Sequence, residues 1–181
     1  MRVKPVSIML PLVSIMLLIG CSKSDTSTPN SAKLIEPEQL VSMQEASAIT
    51  NNTYTGKKTT NNAAIGQKQC DYENSKDGLF QVSLIQKAFI PSNCGLQEPQ
   101  KHYDFAYQNF SNTEIIPELG DEAFYCPSPR ALHIMYLGYY INIMIVKEDK
   151  LINGDWKPNE TRVIYISAGK KACENLKKIV K

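Results

Sequence analysis

The chain is poor in the residues on which most active sites depend. It has two histidines, His102 and His133, among 181 residues. It contains no glycine-rich phosphate loop, no C-x-x-C pair of the kind that binds zinc, and no nucleophile with an evident base. We therefore expect no catalytic residue, no metal site and no cofactor beyond a covalent lipid. An enzyme whose site is assembled from distant residues stays open as a third possibility.

An excess of charge of one sign is also lacking. The chain carries 20 Lys and Arg residues against 18 Asp and Glu residues. Loss of residues 1–20 would remove Arg2 and Lys4 and no acid, which leaves 18 residues of each sign. A chain of zero formal charge gives no reason to expect nucleic acid or an anionic lipid surface as a partner.

The first twenty residues, in contrast, have a distinct pattern. A basic start is followed by an apolar run from Val6 to Ile19, which Pro11 interrupts. This order is typical of an export signal. The run is too short for a secure membrane span, which needs about 20 apolar residues. Residues 1–20 are therefore predicted to be a signal peptide.

The segment Leu18-Ile19-Gly20-Cys21 resembles the lipobox of bacterial lipoproteins. The resemblance implies that Cys21 is the first residue of the mature chain and is lipidated on its sulfur and its amine. Several acyl chains, at about 0.8 kcal/mol per buried methylene, anchor a protein almost permanently. Ser22 replaces the Asp that marks inner-membrane retention in enterobacterial lipoproteins, which implies an outer-membrane anchor facing the periplasm. The alternative is an ordinary signal peptide followed by an ordinary cysteine.

The mature chain divides into a tether and one domain. Residues 21–36 are polar, with no large aliphatic side chain before Leu34 and Ile35, and are predicted to be flexible. Residues 37–181 are enough for one hydrophobic core and too few to expect two.

Hydrophobic periodicity predicts an α+β fold for this domain. Helices are predicted at Pro37–Ile49, Glu98–Phe110 and Glu160–Ile179; strands at Gln69–Glu73, Leu79–Lys87 and Gly120–Cys126, and in a hairpin within Ala131–Lys147 that turns at Gly138. Thr50–Gln69 is predicted to be a mobile loop. We expect an antiparallel sheet of about five strands with three helices packed mainly on one face. Two successive helix-then-strands units also hint at an internal repeat.

Four cysteines remain after Cys21, and their spacing favours disulfides. Cys70, Cys94, Cys126 and Cys173 are separated by 24, 32 and 47 residues. An even number of cysteines in an exported chain is typical of a disulfide framework. Three connectivities are possible, and Cys70–Cys126 with Cys94–Cys173 is the pairing we expect. Free thiols are the alternative.

Aromatic residues supply the candidate binding surface, which consists of Tyr103, Tyr107, Tyr136, Tyr139 and Trp156. Tyrosine combines an apolar ring with a polar tip, so it suits a protein interface and a ligand pocket equally. We expect a non-enzymatic envelope protein that binds another protein, as an assembly factor or an inhibitor. The alternative is a small-ligand carrier with a concave sheet lined by the four tyrosines.

Two further features are expected to be structural. Asp121 and Glu122 are adjacent in a predicted strand, so their carboxylates should point to opposite faces and form no paired acidic site. His133 should lie on the face opposite Leu132 and Ile134, as a hydrogen-bonded histidine rather than a ligand.

Overall fold

A computed structural model of the chain describes residues 34–75, 78–146 and 158–181, with side chains from residue 162 onward in the last range. The helices in these ranges are α1 (Met43–Thr50), α2 (Pro99–Asn109) and α3 (Pro158–Ile179), and the strands are β1 (Gly56–Asn62), β2 (Gln67–Glu73), β3 (Leu79–Ile85), β4 (Glu114–Ile115), β5 (Glu122–Pro127), β6 (Arg130–Tyr136) and β7 (Tyr139–Val146). The predicted signal peptide, lipidated Cys21, most of the tether, and Trp156 lie outside the described residues.

The strands form one antiparallel sheet in the order β1-β2-β3-β7-β6-β5-β4. The α+β class with three helices and one antiparallel sheet is confirmed for the described residues. The expected number of about five strands is wrong, because the described sheet has seven. The two unpredicted strands are β1, inside the predicted loop Thr50–Gln69, and the two-residue β4.

One face of the sheet carries the larger core. On β6 and β7, Leu132 lies opposite Ile143 and Ile134 lies opposite Ile141, and all four side chains are fully buried. They pack with α1 and α3, and Gly169 on α3 allows Leu132 and Ile134 to approach the helix closely. Each such aliphatic side chain contributes about 1.5–3 kcal/mol when fully buried.

Helix α2 covers the other face, so the predicted packing mainly on one face holds for α1 and α3 and not for α2. Residues of β5, β6 and β7 that alternate with the larger core form a second buried cluster against α2: Phe124, Cys126, Met135 and Tyr140. The two faces arise because neighbouring residues of a strand point to opposite sides of the sheet. Because helices cover both faces of the sheet, the central strands carry apolar side chains on both sides.

The first predicted helix is shorter than expected. Residues Pro37–Gln39 form a single 3-10 turn, and α1 begins only after Ser42. The Ser42 hydroxyl accepts a hydrogen bond from the Glu45 amide, and the Glu45 carboxylate accepts one from the Ser42 amide. This capping box fixes the helix start, and its Ser-x-x-Glu pattern is visible in the sequence.

The described residues belong to one unit, Ser31–Lys181. Among them, no helix combines the length and the apolar character needed to cross a membrane.

Candidate functional site

Helix α2 places two tyrosines four residues apart on one face. Pro99 occupies the first turn of this helix, where its missing amide proton leaves no hydrogen bond unmade. The rings of Tyr103 and Tyr107 both pack against the Phe124 ring of β5, each with 5.2 Å between ring centroids. Tyr103 is 6% exposed and Tyr107 is 41% exposed. One tyrosine therefore belongs to the core, and the other reaches its rim.

Beneath these rings lies a buried aromatic stack. Phe124 and His133 are directly opposite each other on β5 and β6, and their rings stack with 4.4 Å between centroids. The Nδ1 atom of His133 is 2.7 Å from the Tyr140 hydroxyl oxygen. The Tyr103 ring packs edge-on against Tyr140 at 6.0 Å. This packing holds the Tyr103 and Tyr107 side of α2 in place.

The segment 115–123 forms the opposite wall. The Ile116 amide donates to the Ala123 carbonyl oxygen at 2.9 Å, and the Asp121 amide donates to the Met135 carbonyl oxygen at 2.8 Å. Gly120 has a φ of +66°, and a Cβ atom there would approach the Met135 carbonyl oxygen to 2.6 Å. Only glycine fits this position without distortion, so the path of the wall is well defined.

An open cleft of about 370 Å³ lies between α2 and this wall. Its lining residues are Tyr103, Asp104, Tyr107, Ile115, Ile116, Pro117, Leu119, Asp121, Glu122 and Ala123. Its volume falls in the range of about 300–1,000 Å³ that is typical of ligand pockets. Ile115 at its mouth is 58% exposed. The cleft is therefore an apolar depression with an exposed apolar rim.

Three carboxylates line the cleft, and its lining contains no basic side chain. Asp104 accepts a hydrogen bond from the Gln100 amide group at 2.9 Å, and Asp121 accepts one from the Leu137 backbone amide at 2.8 Å. Glu122 is exposed, and its carboxylate has no hydrogen bond or ion pair with the part of the chain that the structure describes. The charge of Glu122 is thus uncompensated locally.

The electrostatics of Tyr103 reflect this setting. Burial raises the pKa of its hydroxyl, and the nearby Glu122 carboxylate, the Tyr107 hydroxyl and the Asp104 carboxylate raise it further. A neutral Tyr103 hydroxyl therefore lies close to at least two negative charges. The cleft has a negative potential above an aromatic floor.

The structure brings together only part of the predicted aromatic surface. Tyr103 and Tyr107 line the cleft, whereas Tyr136 and Tyr139 pack against the core on the α1 and α3 face. They cannot line one surface with the α2 tyrosines, because the sheet lies between the two sets. Trp156 lies outside the described residues. The predicted sheet lined by four tyrosines is therefore wrong.

Asp121 directly precedes Glu122, the first residue of β5. The Asp121 carboxylate accepts a hydrogen bond from the Leu137 amide and lies near the Cys173 thiol of α3, whereas the Glu122 carboxylate lies near the Tyr103 hydroxyl of α2. The two carboxylates thus have neighbours on opposite faces of the sheet, in agreement with the prediction. Both line the same cleft. Ile115, Asp104 and Phe124 were missed as site residues, and only the Tyr103-x-x-x-Tyr107 spacing pointed to this region.

The four candidate disulfide cysteines are free thiols in the structure. Cys70 on β2 and Cys126 on β5 lie on opposite faces, with β3, β7 and β6 between them. Four strand spacings of about 4.8 Å place them roughly 19 Å apart, whereas a disulfide needs Cα atoms within about 7 Å. The expected Cys70–Cys126 pairing is therefore wrong.

The second expected pairing, Cys94–Cys173, would also join opposite sides of the sheet. Cys173 is on α3, where burial raises the pKa of its thiol to about 12. Cys94 lies in the segment leading to α2, and its thiol donates to the Leu96 carbonyl oxygen at 3.3 Å. The His102 Nε2 atom lies 2.9 Å from the same oxygen. Cys94 and His102 thus share one backbone acceptor instead of forming a thiol–imidazole hydrogen bond.

Within residues 34–75, 78–146 and 162–181, no three His, Cys, Asp or Glu side chains are grouped closely enough to hold a metal ion. The cleft carboxylates therefore form a dispersed negative surface and not a chelating set. Comparison with known proteins found no family model, no curated protein and no solved structure that matches this chain.

Proposed function

We propose that this protein is a lipid-anchored protein of the bacterial cell envelope that binds a partner protein without catalysing a reaction. The observation that carries the proposal is the open cleft between α2 and residues 115–123, with its exposed apolar rim at Tyr107 and Ile115. Apolar side chains beside a concavity are typical of protein-interaction sites.

The openness of the cleft favours a protein segment over an enclosed small ligand. Small-molecule carriers bury most of the ligand surface in a closed apolar cavity. Here five of the lining residues are exposed: Tyr107, Ile115, Pro117, Asp121 and Glu122. The volume of about 370 Å³ would still admit a small molecule, and a small-ligand carrier with its site at this cleft is therefore the second candidate.

The anchor in this proposal depends on the lipobox at Leu18-Ile19-Gly20-Cys21. It would keep the domain at the periplasmic side of the outer membrane, and a tether of roughly fifteen residues would allow it to stand about 20 Å from the bilayer. A partner would then be another envelope protein or a protein that crosses the periplasm.

Affinity capture from native envelope membranes tests the proposal. The lipidated protein is compared with an Ile115→Gln variant, which removes the apolar rim without adding charge. The matched control is Val146→Gln on β7, because Val146 is also exposed, at 44%, and does not line the cleft. We expect a partner that is recovered with the wild type and the control and is depleted about fivefold or more with Ile115→Gln. Equal recovery with all three proteins would contradict the proposal.

A further inference from the structure

The cleft combines two features, apolar surface and acidic side chains, that together restrict the chemistry of a partner. Its lining contains apolar and aromatic side chains, and its charged side chains are all acidic. An uncompensated carboxylate beside apolar surface is poorly solvated when a partner covers it, unless the partner supplies a cation. The cleft is therefore unsuited to a purely apolar or an acidic segment.

The positions of the charges favour a long cationic side chain. Among the described residues, Glu122 has no ion-pair partner, and the Asp104 carboxylate accepts one side-chain hydrogen bond, from Gln100. Arg162 forms an ion pair with Glu114 at 2.7 Å and does not line the cleft. Lys and Arg side chains have apolar stems that can lie along apolar surface while the charged end reaches a carboxylate.

The exposed aromatic ring adds a second attraction for a cation. Tyr107 is 41% exposed at the rim, and an ammonium or guanidinium group is attracted to the face of an accessible tyrosine ring. The rim at Ile115 extends the apolar surface beyond the cleft itself. A peptide segment would cover this rim, whereas a small amine would leave it exposed to water.

We propose that the cleft binds a Lys- or Arg-bearing segment of the partner protein, with the cation beside Glu122 and Asp104 and its methylene stem against Tyr107 and Ile115. This inference rests on the proposed function, because it names the chemistry of the partner at the same cleft.

The test is a titration of peptide into the full-length protein in detergent micelles. Binding is monitored through the NMR methyl resonances of Ile115 and Ile116. The probe is an acetylated and amidated octapeptide with two lysines among glycines and serines. The same peptide with glutamine in place of lysine tests the charge, and butylammonium tests whether an amine alone is enough. We expect the lysine peptide to shift both resonances, and the other two ligands to bind at least threefold more weakly.

The Glu122→Gln variant removes the central charge and retains the shape of the side chain. Because Glu122 is exposed, we expect the variant to fold normally and to bind the lysine peptide about two- to fivefold more weakly, the size of a partly exposed ion pair. Glu73→Gln on β2 is the control, since Glu73 is also exposed and is not a cleft residue. We expect its affinity to equal that of the wild type.

Three results would overturn the inference: equal affinity for the lysine and glutamine peptides, equal affinity of the Glu122→Gln and Glu73→Gln variants, or butylammonium binding as tightly as the lysine peptide. If a partner is nonetheless depleted by Ile115→Gln in the capture experiment, the cleft remains a docking site and only its cationic ligand is wrong. If the capture experiment also fails, both proposals are wrong.

Discussion

His133 illustrates how burial decides the charge of a side chain. It is 4% exposed, stacks on Phe124, and has its Nδ1 atom 2.7 Å from the Tyr140 hydroxyl oxygen. Burial lowers its pKa from 6.5 to about 4, because a charged imidazolium would lose its hydration there. The prediction that His133 lies on the face opposite Leu132 and Ile134 as a hydrogen-bonded histidine is confirmed.

This pKa predicts a specific dependence of stability on pH. Between pH 6.5 and about 4 the unfolded chain binds a proton that the folded His133 does not bind. The contribution of neutral His133 to the free energy of unfolding should therefore be fully present above pH 6.5 and should be lost as the pH decreases through this window. At 1.36 kcal/mol per pKa unit, the total loss is about 3 kcal/mol. Urea denaturation at several pH values measures it.

Carboxylates also titrate in this range, so a control is needed. In a His133→Phe variant the stacked ring is retained and the titrating group is removed. As the pH falls from 6.5 to 4, the wild type should lose more stability than the variant. The unfolding free energy of the wild type minus that of the variant should therefore decrease. A difference independent of pH, or an NMR titration of His133 with a midpoint near 6.5, would contradict this account.

At the scale of elements, the β6–β7 hairpin contains a residue in an unfavourable conformation. Tyr136 and Tyr139 pair across a two-residue turn, in which Leu137 has a φ of 51° and Gly138 a φ of 78°. Such a turn requires positive φ at both positions, which suits Asn-Gly better than Leu-Gly. The left-handed conformation costs a residue such as leucine about 1–2 kcal/mol.

We therefore predict that Leu137→Asn stabilises the protein by about 1 kcal/mol. Leu137 is 44% exposed, so the substitution loses little packing, and its amide can still donate to Asp121. Leu137→Ala is the control, because it shortens the side chain without relieving the backbone. Chemical denaturation of the three proteins measures the effect, and equal stability of the asparagine and alanine variants would be inconsistent with strain at this turn.

Elements with a periodic apolar pattern could be predicted from the sequence, and elements without one could not. The hairpins β2–β3 and β6–β7 and the helix α2 have alternating or helical apolar spacing. The edge strand β1 consists of polar residues, nearly all of them exposed, and it is held by backbone pairing with β2. No side-chain pattern distinguishes such an edge strand from a loop.

The candidate site was only partly predictable for a similar reason. Tyr103 and Tyr107 are four residues apart in one helix, so their common face follows from helical geometry. Their contact with Phe124, and the wall at Ile115, depend on how α2 docks on β5 and β6. Contacts between distant segments carry no local sequence signal.

The arrangement of helices also bears on the hinted internal repeat. A true repeat would relate the two units by a twofold axis that exchanges β3 and β7, the last strands of the two units. Because β3 and β7 pair antiparallel at the centre of the sheet, this axis must be perpendicular to the sheet. Such an axis would place corresponding helices on the same face. Helix α1 packs on the larger core, and α2 packs on the other face. The two helix-then-strands units are therefore not related by this symmetry.

At the scale of the whole molecule, the lipid anchor is a prediction that stands on residues 1–21 alone. In a Cys21→Ser variant the acceptor sulfur is lost, so the protein should remain uncleaved or unlipidated and leave the outer-membrane fraction. Mass spectrometry and membrane fractionation measure both effects. Normal mass and localisation of the variant would contradict the lipobox, and Cys94→Ser controls for the loss of a cysteine.

The central claim is that the cleft between α2 and residues 115–123 binds a partner protein. The most direct measurement is photo-crosslinking in living cells with benzoylphenylalanine at Tyr107, which lines the cleft, or at Phe105, which is 58% exposed on the same helix and does not line it. We predict a discrete crosslinked protein from position 107 that is absent or much weaker from position 105. The same products from both positions, or none from position 107, would contradict the account.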